Sequence, residues 1–253
     1  MSAFELTGRK ALVTGGARGL GEAMASALAA AGASVVIADV LEELGTETAQ
    51  RLSTGGGDVS FVRLDVTDDD SWAAAIDAAV RTLGGLDVLV NNAGVEITSL
   101  FVDLDADQIH RMLEVNVLGT ALGIKHGLRA MRPEGAAGAG GSIVNIASVA
   151  ETIAFPGIGI YSATKSAVDR MTRVAAMEAG KLGYGVRVNC IYPGLVPTEM
   201  GAGLANDVAR IGLFESPDAA VGAVVEQTPS GRLGTPEDMA DAVVFLAPTP
   251  RGS

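Results

Sequence analysis

An α/β fold built on one doubly wound parallel sheet, with helices on both faces, is what three features of this sequence predict. Short apolar runs of strand length recur along the chain, separated by longer stretches with helical periodicity. The first run, Lys10 to Val13, leads straight into a glycine-rich loop and an alanine-rich helical stretch. Polar or glycine-containing segments follow several runs at their carboxyl ends, where ligands lie in open α/β sheets. With 253 residues, 48% of them hydrophobic, the chain is expected to form one domain over 1–253 around a single large core.

Taken in order, Thr14-Gly15-Gly16-Ala17-Arg18-Gly19-Leu20-Gly21 joins the first strand to a helix running from Leu20 to about Ala31, with Gly32 as its stop. Strand, glycine loop and helix make the setting of a dinucleotide fingerprint, although Gly15-x3-Gly19-x-Gly21 is a variant spacing. The glycines allow a tight turn and close backbone approach, and the helix N-terminus supplies N–H groups for pyrophosphate. Ser34 to Ala38 is a second strand with Asp39 at its end. A carboxylate there can hydrogen-bond the adenosine ribose of NAD and repel the 2′-phosphate of NADP, or it can cap the following helix. Arg18 is a counter-signal, able to pair with a phosphate; Asp39 outweighs it because its charge sits directly against that phosphate.

Val59 to Leu64 is a third strand ending in Asp65-Val66, and Asp68 to Leu83 a helix with an acidic first turn. Leu86 to Val90 is a fourth strand that runs into Asn91-Asn92-Ala93-Gly94, with Asn91 expected to hold structure and Asn92 to contact a cofactor. A long helix is expected from Asp105 to about Met131. Asn116 sits in its middle, a poor helix former that asks for a reason. Gly135 to Gly141 reads as a flexible surface loop, Ser142 to Ala147 as a fifth, buried strand, and Gly185 to Ile191 as a sixth. Pro193 to Thr198 breaks regular structure at the sheet's carboxyl edge. The apolar stretch 199–230 is expected to act as a lid over an apolar substrate, and Pro236 to Leu246 as a last helix capped by Thr235.

The chemistry is concentrated between Ser148 and Lys165. Tyr161 and Lys165 lie four residues apart, one turn of helix, on one face. A free phenol titrates near about 10 and is a poor base at neutral pH, and a neighbouring ammonium is expected to bring it down. Ser148 emerges from the carboxyl end of the fifth strand. Taken alone, Ser148 could be a turn residue and Tyr161-x3-Lys165 an ordinary helix surface; the remaining motifs decide between the readings.

A net charge of −12 argues against nucleic acid or anionic membrane surfaces as partners. Neither a membrane-spanning run nor a signal peptide is apparent, and the single cysteine, Cys190, fits a reducing cytoplasm and inert packing. His110 and His126 stand apart from any Cys or His partner, so a metal site is not expected.

In order and spacing, Thr14-Gly15-x3-Gly19-x-Gly21, Asp65, Asn91-Asn92-Ala93-Gly94, Asn116, Ser148, Tyr161-x3-Lys165 and Pro193-Gly194 resemble the short-chain dehydrogenase/reductase family from about Leu6 to Leu246. That resemblance implies a Rossmann-like fold and a nicotinamide cofactor. It implies Tyr161 as general acid/base, Ser148 as the group holding the substrate oxygen, and Lys165 on the nicotinamide ribose. It also implies Asn116 anchoring a proton-relay water. Cofactor contacts are implied at Gly15, Arg18, Gly19, Leu20, Gly21, Asp39, Asp65, Val66, Asn92, Ala93, Gly94, Pro193, Gly194, Val196 and Thr198. Asp39 resembles the NAD-preferring branch. Residues 148–150 and 183–189 are similar to bacterial hydroxysteroid and cyclic-alcohol dehydrogenases, implying a bulky apolar or cyclic alcohol or ketone. The alternatives are a 3-oxoacyl thioester reductase, which Asp39 opposes, and a non-catalytic nucleotide-binding regulator. The family's helices around Asn116 and Tyr161 pair between subunits, so a homotetramer or homodimer is expected, with Ala121, Leu122, Val168, Met171 and Ala175 at the contact. One departure stands out: two prolines in 248–253 are incompatible with the family's seventh strand, which is therefore expected to be missing.

Overall fold

The computed structural model describes residues 4–247. Six parallel strands form one sheet in the order β3-β2-β1-β4-β5-β6. They are β1 (Lys10–Thr14), β2 (Ser34–Asp39), β3 (Asp58–Arg63), β4 (Val88–Asn91), β5 (Gly141–Ile146) and β6 (Val186–Ile191). Strand order reverses between β1 and β4, so the loops leaving these two strands diverge and open a crevice at their carboxyl ends.

Because side chains alternate across a strand, each strand feeds two cores. Ala11, Val13, Val35, Ile37, Val88, Val90 and Val144 pack beneath α1 (Gly19–Ala30), α2 (Glu42–Thr54) and, near the far end of the described chain, a helix at Pro236–Leu246. Leu12, Val36, Leu89, Ile143 and Val188 face Trp72 of α3 (Asp69–Leu83), Ile124 of a helix at Gly119–Met131, and Ala175 and Ala179 of one at Gly159–Lys181. Burying an aliphatic side chain of this size is worth about 1.5–3 kcal/mol, so both layers are held mainly by this apolar contact. Asp68 caps α3 by accepting Ser71 N–H at 2.7 Å.

The helix expected over 105–131 is interrupted. Ala106–Met112 is α4, Leu113–Leu118 forms a π-turn, and Gly119–Met131 is α5. Asn116 lies in the widened turn, where its amide serves the loop after β4 instead of its own helix. The helix at Gly159–Lys181 is α6. The stretch 199–230 holds two helices, α7 (Glu199–Arg210) and α8 (Pro217–Gln227), begun by Thr198 and by Ser216 with Pro217. Pro236–Leu246 is α9, with a capping box between Thr235 and Asp238.

Two expectations are corrected. The glycines at 135–141 are not merely a mobile surface loop. Gly141 opens β5, and a Cβ on Gly140 would stand 2.5 Å from the Gly185 carbonyl, so these glycines splice β5 to the turn before β6. Val168 and Ala175 belong to the core, at 1% and 5% exposure, and cannot face a second subunit; Val174 and Met177 are the exposed apolar residues of α6. Residues 248–253, on which the expectation of a missing seventh strand rests, lie outside the described residues. Among the described residues no helix is long and apolar enough to cross a membrane, and no three His, Cys, Asp or Glu side chains gather as a metal site.

Candidate active site

A cleft of about 730 Å³ lies at the carboxyl ends of the strands. Most of the residues singled out from sequence line it: Gly15, Arg18, Gly19, Leu20, Asp39, Asp65, Val66, Asn92, Ala93, Gly94, Ser148, Tyr161, Lys165, Pro193, Gly194, Val196 and Thr198. Gly21 and Asn116 do not reach its surface and act from behind it.

The glycine loop is shaped by the first turn after β4. Thr14 Oγ1 accepts the N–H groups of Asn92 and Ala93, both at 3.1 Å. The Asn92 amide donates to the carbonyls of Thr14 at 2.9 Å and Gly15 at 3.1 Å. Its amide nitrogen is thus committed to the backbone, while the residue also lines the cleft. A Cβ on Gly21 would stand 2.1 Å from the Gly15 carbonyl, so only glycine lets α1 approach the loop this closely. Gly19, with φ of +61°, begins α1, and no side chain caps that helix. Its first N–H groups are left for whatever enters the cleft.

Asp39 holds this end from the side. Its two carboxylate oxygens accept Ala17 N–H and Leu41 N–H, each at 3.1 Å. Asp65 accepts both the N–H and the hydroxyl of Thr67 at one oxygen, at 3.0 and 2.7 Å. Those two bonds, with help from the charges of Arg111 and Arg63, hold its carboxyl below the usual range. Arg18, expected to be available for a phosphate, is paired with Glu199 at the start of α7.

At the other end, Ser148 leaves β5 buried, accepting Ala150 N–H at 3.1 Å and donating to the Pro193 carbonyl at 3.3 Å. Tyr161 sits in the first turn of α6, and Lys165 lies one turn on, its Nζ 5.5 Å from the Tyr161 ring centre. Lys165 Nζ donates to the Ile146 carbonyl at 2.8 Å. Burial pushes this lysine down to about 8. Burial also pushes the Tyr161 phenol up to about 12, against the pull of a hydrogen bond with Ser148 and with the charge of Glu96 adding to the rise. The expected depression of the phenol by lysine is therefore reversed here: the ammonium is engaged by a backbone carbonyl, and desolvation of the ring dominates.

Behind these groups, Asn116 accepts Val95 N–H and donates to the Val95 carbonyl, both at 2.8 Å, and donates to Thr164 Oγ1 at 3.0 Å. A Cβ on Gly94 would lie 3.3 Å from Asn116 Oδ1 and 3.5 Å from Lys165 Nζ, so the glycine leaves space between the two side chains.

The apolar wall comes from Ile153, Phe155, Ile158, Leu195, Met200, Leu204, Val208 and Val224. Phe155 stacks on Phe214 from the α7–α8 connection, with ring centres 5.8 Å apart, joining this wall to the helices above it. Glu96 and Phe155 went unread in the sequence. The signal for Glu96 was an isolated acid two residues past Asn-Asn-Ala-Gly, with Thr98 two further on. Phe155 carried none.

Residues 15–250 match a short-chain dehydrogenase family model described as enoyl-(acyl carrier protein) reductase. The trans-4-hydroxycyclohexanecarboxylate dehydrogenase of Sinomonas cyclohexanicum is 41% identical over 243 residues, covering 94% of this chain and 85% of its own. The 3-alpha-(or 20-beta)-hydroxysteroid dehydrogenase of Mycobacterium bovis is 39% identical, covering 96% and 83%. Among solved structures, a gluconate 5-dehydrogenase from Burkholderia cenocepacia in complex with NADP and tartrate superposes with a TM-score of 0.85. It is 33% identical, over 96% of this chain and 89% of that one.

Proposed function

We propose a catalytic assignment for this chain, which belongs to the short-chain dehydrogenase/reductase family and is an oxidoreductase that interconverts a secondary alcohol and a ketone with a nicotinamide cofactor. Tyr161 is the group that exchanges a proton with the substrate oxygen. The observation that carries this is its position on the cleft that Ser148 also lines, one turn of helix from a buried Lys165 whose Nζ lies 5.5 Å from its ring centre. When bound, the nicotinamide gives or takes the hydride. Ser148 holds the substrate oxygen beside the phenol. With its phenol pushed up to about 12, Tyr161 is protonated at neutral pH and set to donate, which suits ketone reduction. Alcohol oxidation requires the phenolate first and should accelerate as pH rises. A relay water beside Gly94, where Asn116 and Lys165 converge, would return the proton to solvent.

The chain's residues fit a dinucleotide. The uncapped start of α1 at Gly19 supplies N–H groups for pyrophosphate, and the missing side chain at Gly194 leaves open space opposite. Asp65 and Val66 would border the adenine end, Lys165 would hold the nicotinamide ribose, and Val196 and Thr198 would meet the carboxamide, all of them residues that line the cleft. We assign NAD as the preferred cofactor. Both oxygens of Asp39 are fixed by backbone N–H groups, which would keep a carboxylate facing a 2′-phosphate.

The substrate is a cyclic secondary alcohol or ketone, supported by the apolar wall under α7 and α8 and by the ring-shaped substrates named for both relatives. The protein is cytoplasmic and pairs with a second copy through the exposed Leu113, Leu118, Val174 and Met177; light scattering that finds only monomer at micromolar concentration rejects the pairing.

Tyr161→Phe tests the assignment. It should lower kcat about 10²–10⁴-fold while leaving NAD affinity unchanged. Retention of a tenth or more of the wild-type kcat would remove Tyr161 from the role. Asp39→Ala should narrow the preference for NAD over NADP about 10- to 100-fold in kcat/KM.

A further inference from the structure

Four acids line the cleft: Asp39, Asp65, Glu96 and Glu199. Three are committed elsewhere. Asp39 accepts two backbone N–H groups, Asp65 is held by Thr67, and Glu199 pairs with Arg18. Glu96 alone faces the cavity with capacity in hand. Its Oε1 accepts the Thr98 hydroxyl at 2.9 Å, and its Oε2 has no hydrogen-bond partner among the described residues.

Glu96 is also held in place from behind. Asn116 binds both the N–H and the carbonyl of Val95, so the backbone leading into Glu96 is fixed to the same side chain that binds Thr164 of α6. It lines the same cleft as Tyr161, and its charge is felt at the phenol where the substrate's reacting oxygen would rest. Burial pushes the Glu96 carboxyl up to about 7; Thr98 pulls against that rise and Asp207 of α7 adds to it.

A half-buried carboxyl with an unused oxygen, in a cleft also lined by Ile153, Phe155, Leu204 and Val208, is costly unless a ligand completes it. The ligand group that suits it best is a hydroxyl, which donates to the carboxylate and accepts from the acid. A ligand carboxylate suits it worst. The cations on the cleft are Arg18, paired with Glu199, Arg111, which acts on Asp65, and Lys165, which donates to Ile146.

We propose that Glu96 is a specificity-determining residue that binds a second hydroxyl on the substrate ring, so that the enzyme acts on neutral ring diols and hydroxyketones in preference to ring alcohols bearing a carboxylate. This rests on the cyclic-alcohol reading above and narrows it.

The test compares cyclohexanol, trans-cyclohexane-1,4-diol and trans-4-hydroxycyclohexanecarboxylate with wild type, Glu96→Gln and Glu96→Leu. Wild type should favour the diol over cyclohexanol about 10- to 100-fold in kcat/KM, the range of one hydrogen bond to a charged group. The carboxylate should rank below the diol. Glu96→Leu should collapse the diol-to-cyclohexanol ratio toward one, and Glu96→Gln should retain much of it. A ratio unchanged in Glu96→Leu, or a wild-type preference for the carboxylate, overturns the proposal. Turnover of cyclohexanol reports separately on the alcohol reading, which stands whatever the ratio does. If wild type oxidises none of the three, calorimetric titration of the NAD-loaded protein reads the same ranking: tighter diol binding lost in Glu96→Leu supports the proposal, and equal affinities reject it.

Discussion

On the glycine-loop side of the cleft, contacts run between short polar side chains and backbone: Asn92 to Thr14 and Gly15, Thr14 to Asn92 and Ala93, Asp39 to Ala17 and Leu41. On the lid side the contact is between apolar side chains, Phe155 stacked against Phe214. Directional bonds to backbone allow one arrangement, whereas apolar contact allows several of similar energy. The first side is suited to one unvarying ligand. The second can be recut for a new substrate without disturbing the first.

The largest effect should come where the two sides meet. Lys165→Met removes a cation that both halves use, and we expect kcat to fall about 10²–10⁴-fold with NAD affinity weakened as well. Steady-state rates with a cofactor titration check this. An unchanged NAD affinity would confine Lys165 to the chemistry.

Glu96→Gln should show a stability effect that depends on pH. Folding raises this carboxyl from its ordinary 4.5 to about 7, so between those values the folded state binds more protons than the unfolded one. Stability due to this group therefore falls as pH rises through that window. Relative to wild type, Glu96→Gln should gain up to about 3 kcal/mol at pH 8 and little at pH 4, read from urea unfolding at both values. An equal change at both pH values would mean that the carboxyl does not titrate as described.

Gly21→Ala should cost about 1–3 kcal/mol of stability, because its methyl would meet a backbone carbonyl that Asn92 holds in place. NAD affinity should fall with it, while the ranking of substrates stays as it is. A changed ranking would show that the two sides are not independent.

The smallest effect is expected for Arg18→Ala. Its ion pair with Glu199 is exposed on both sides and worth under about 1 kcal/mol. Thermal unfolding should barely move, and a loss much above that would make the pair a structural tie between loop and lid.

The same contrast explains what could be read in the chain beforehand. Strand ends, the glycine loop, Asp39 and the Tyr161–Lys165 spacing were legible because backbone geometry confines which residues suit those places. Asn116 was legible as an anomaly, but its π-turn was not, since the partners that widen the helix, Val95 and Thr164, are distant in sequence. A helix after Asp39 was legible, but the bounds of α2 were not, because its apolar residues are few. Glu96 was missed because one carboxylate in a loop has no period, and its meaning depends on the wall that forms around it. The direction of the Tyr161 shift was misjudged because spacing reports a neighbouring charge but not desolvation.

Asn116 grips Val95 with both ends of its amide and reaches Thr164 with the same nitrogen. One small side chain thus sets the gap between the loop that carries Glu96 and the helix that carries Tyr161. The enzyme consequently carries a built-in ruler. If the two groups grasp opposite ends of a ring, that gap decides whether hydroxyls placed 1,3 or 1,4 fit. A change of ring size or substitution pattern would then be made not at the cavity wall but at a residue that never touches the substrate.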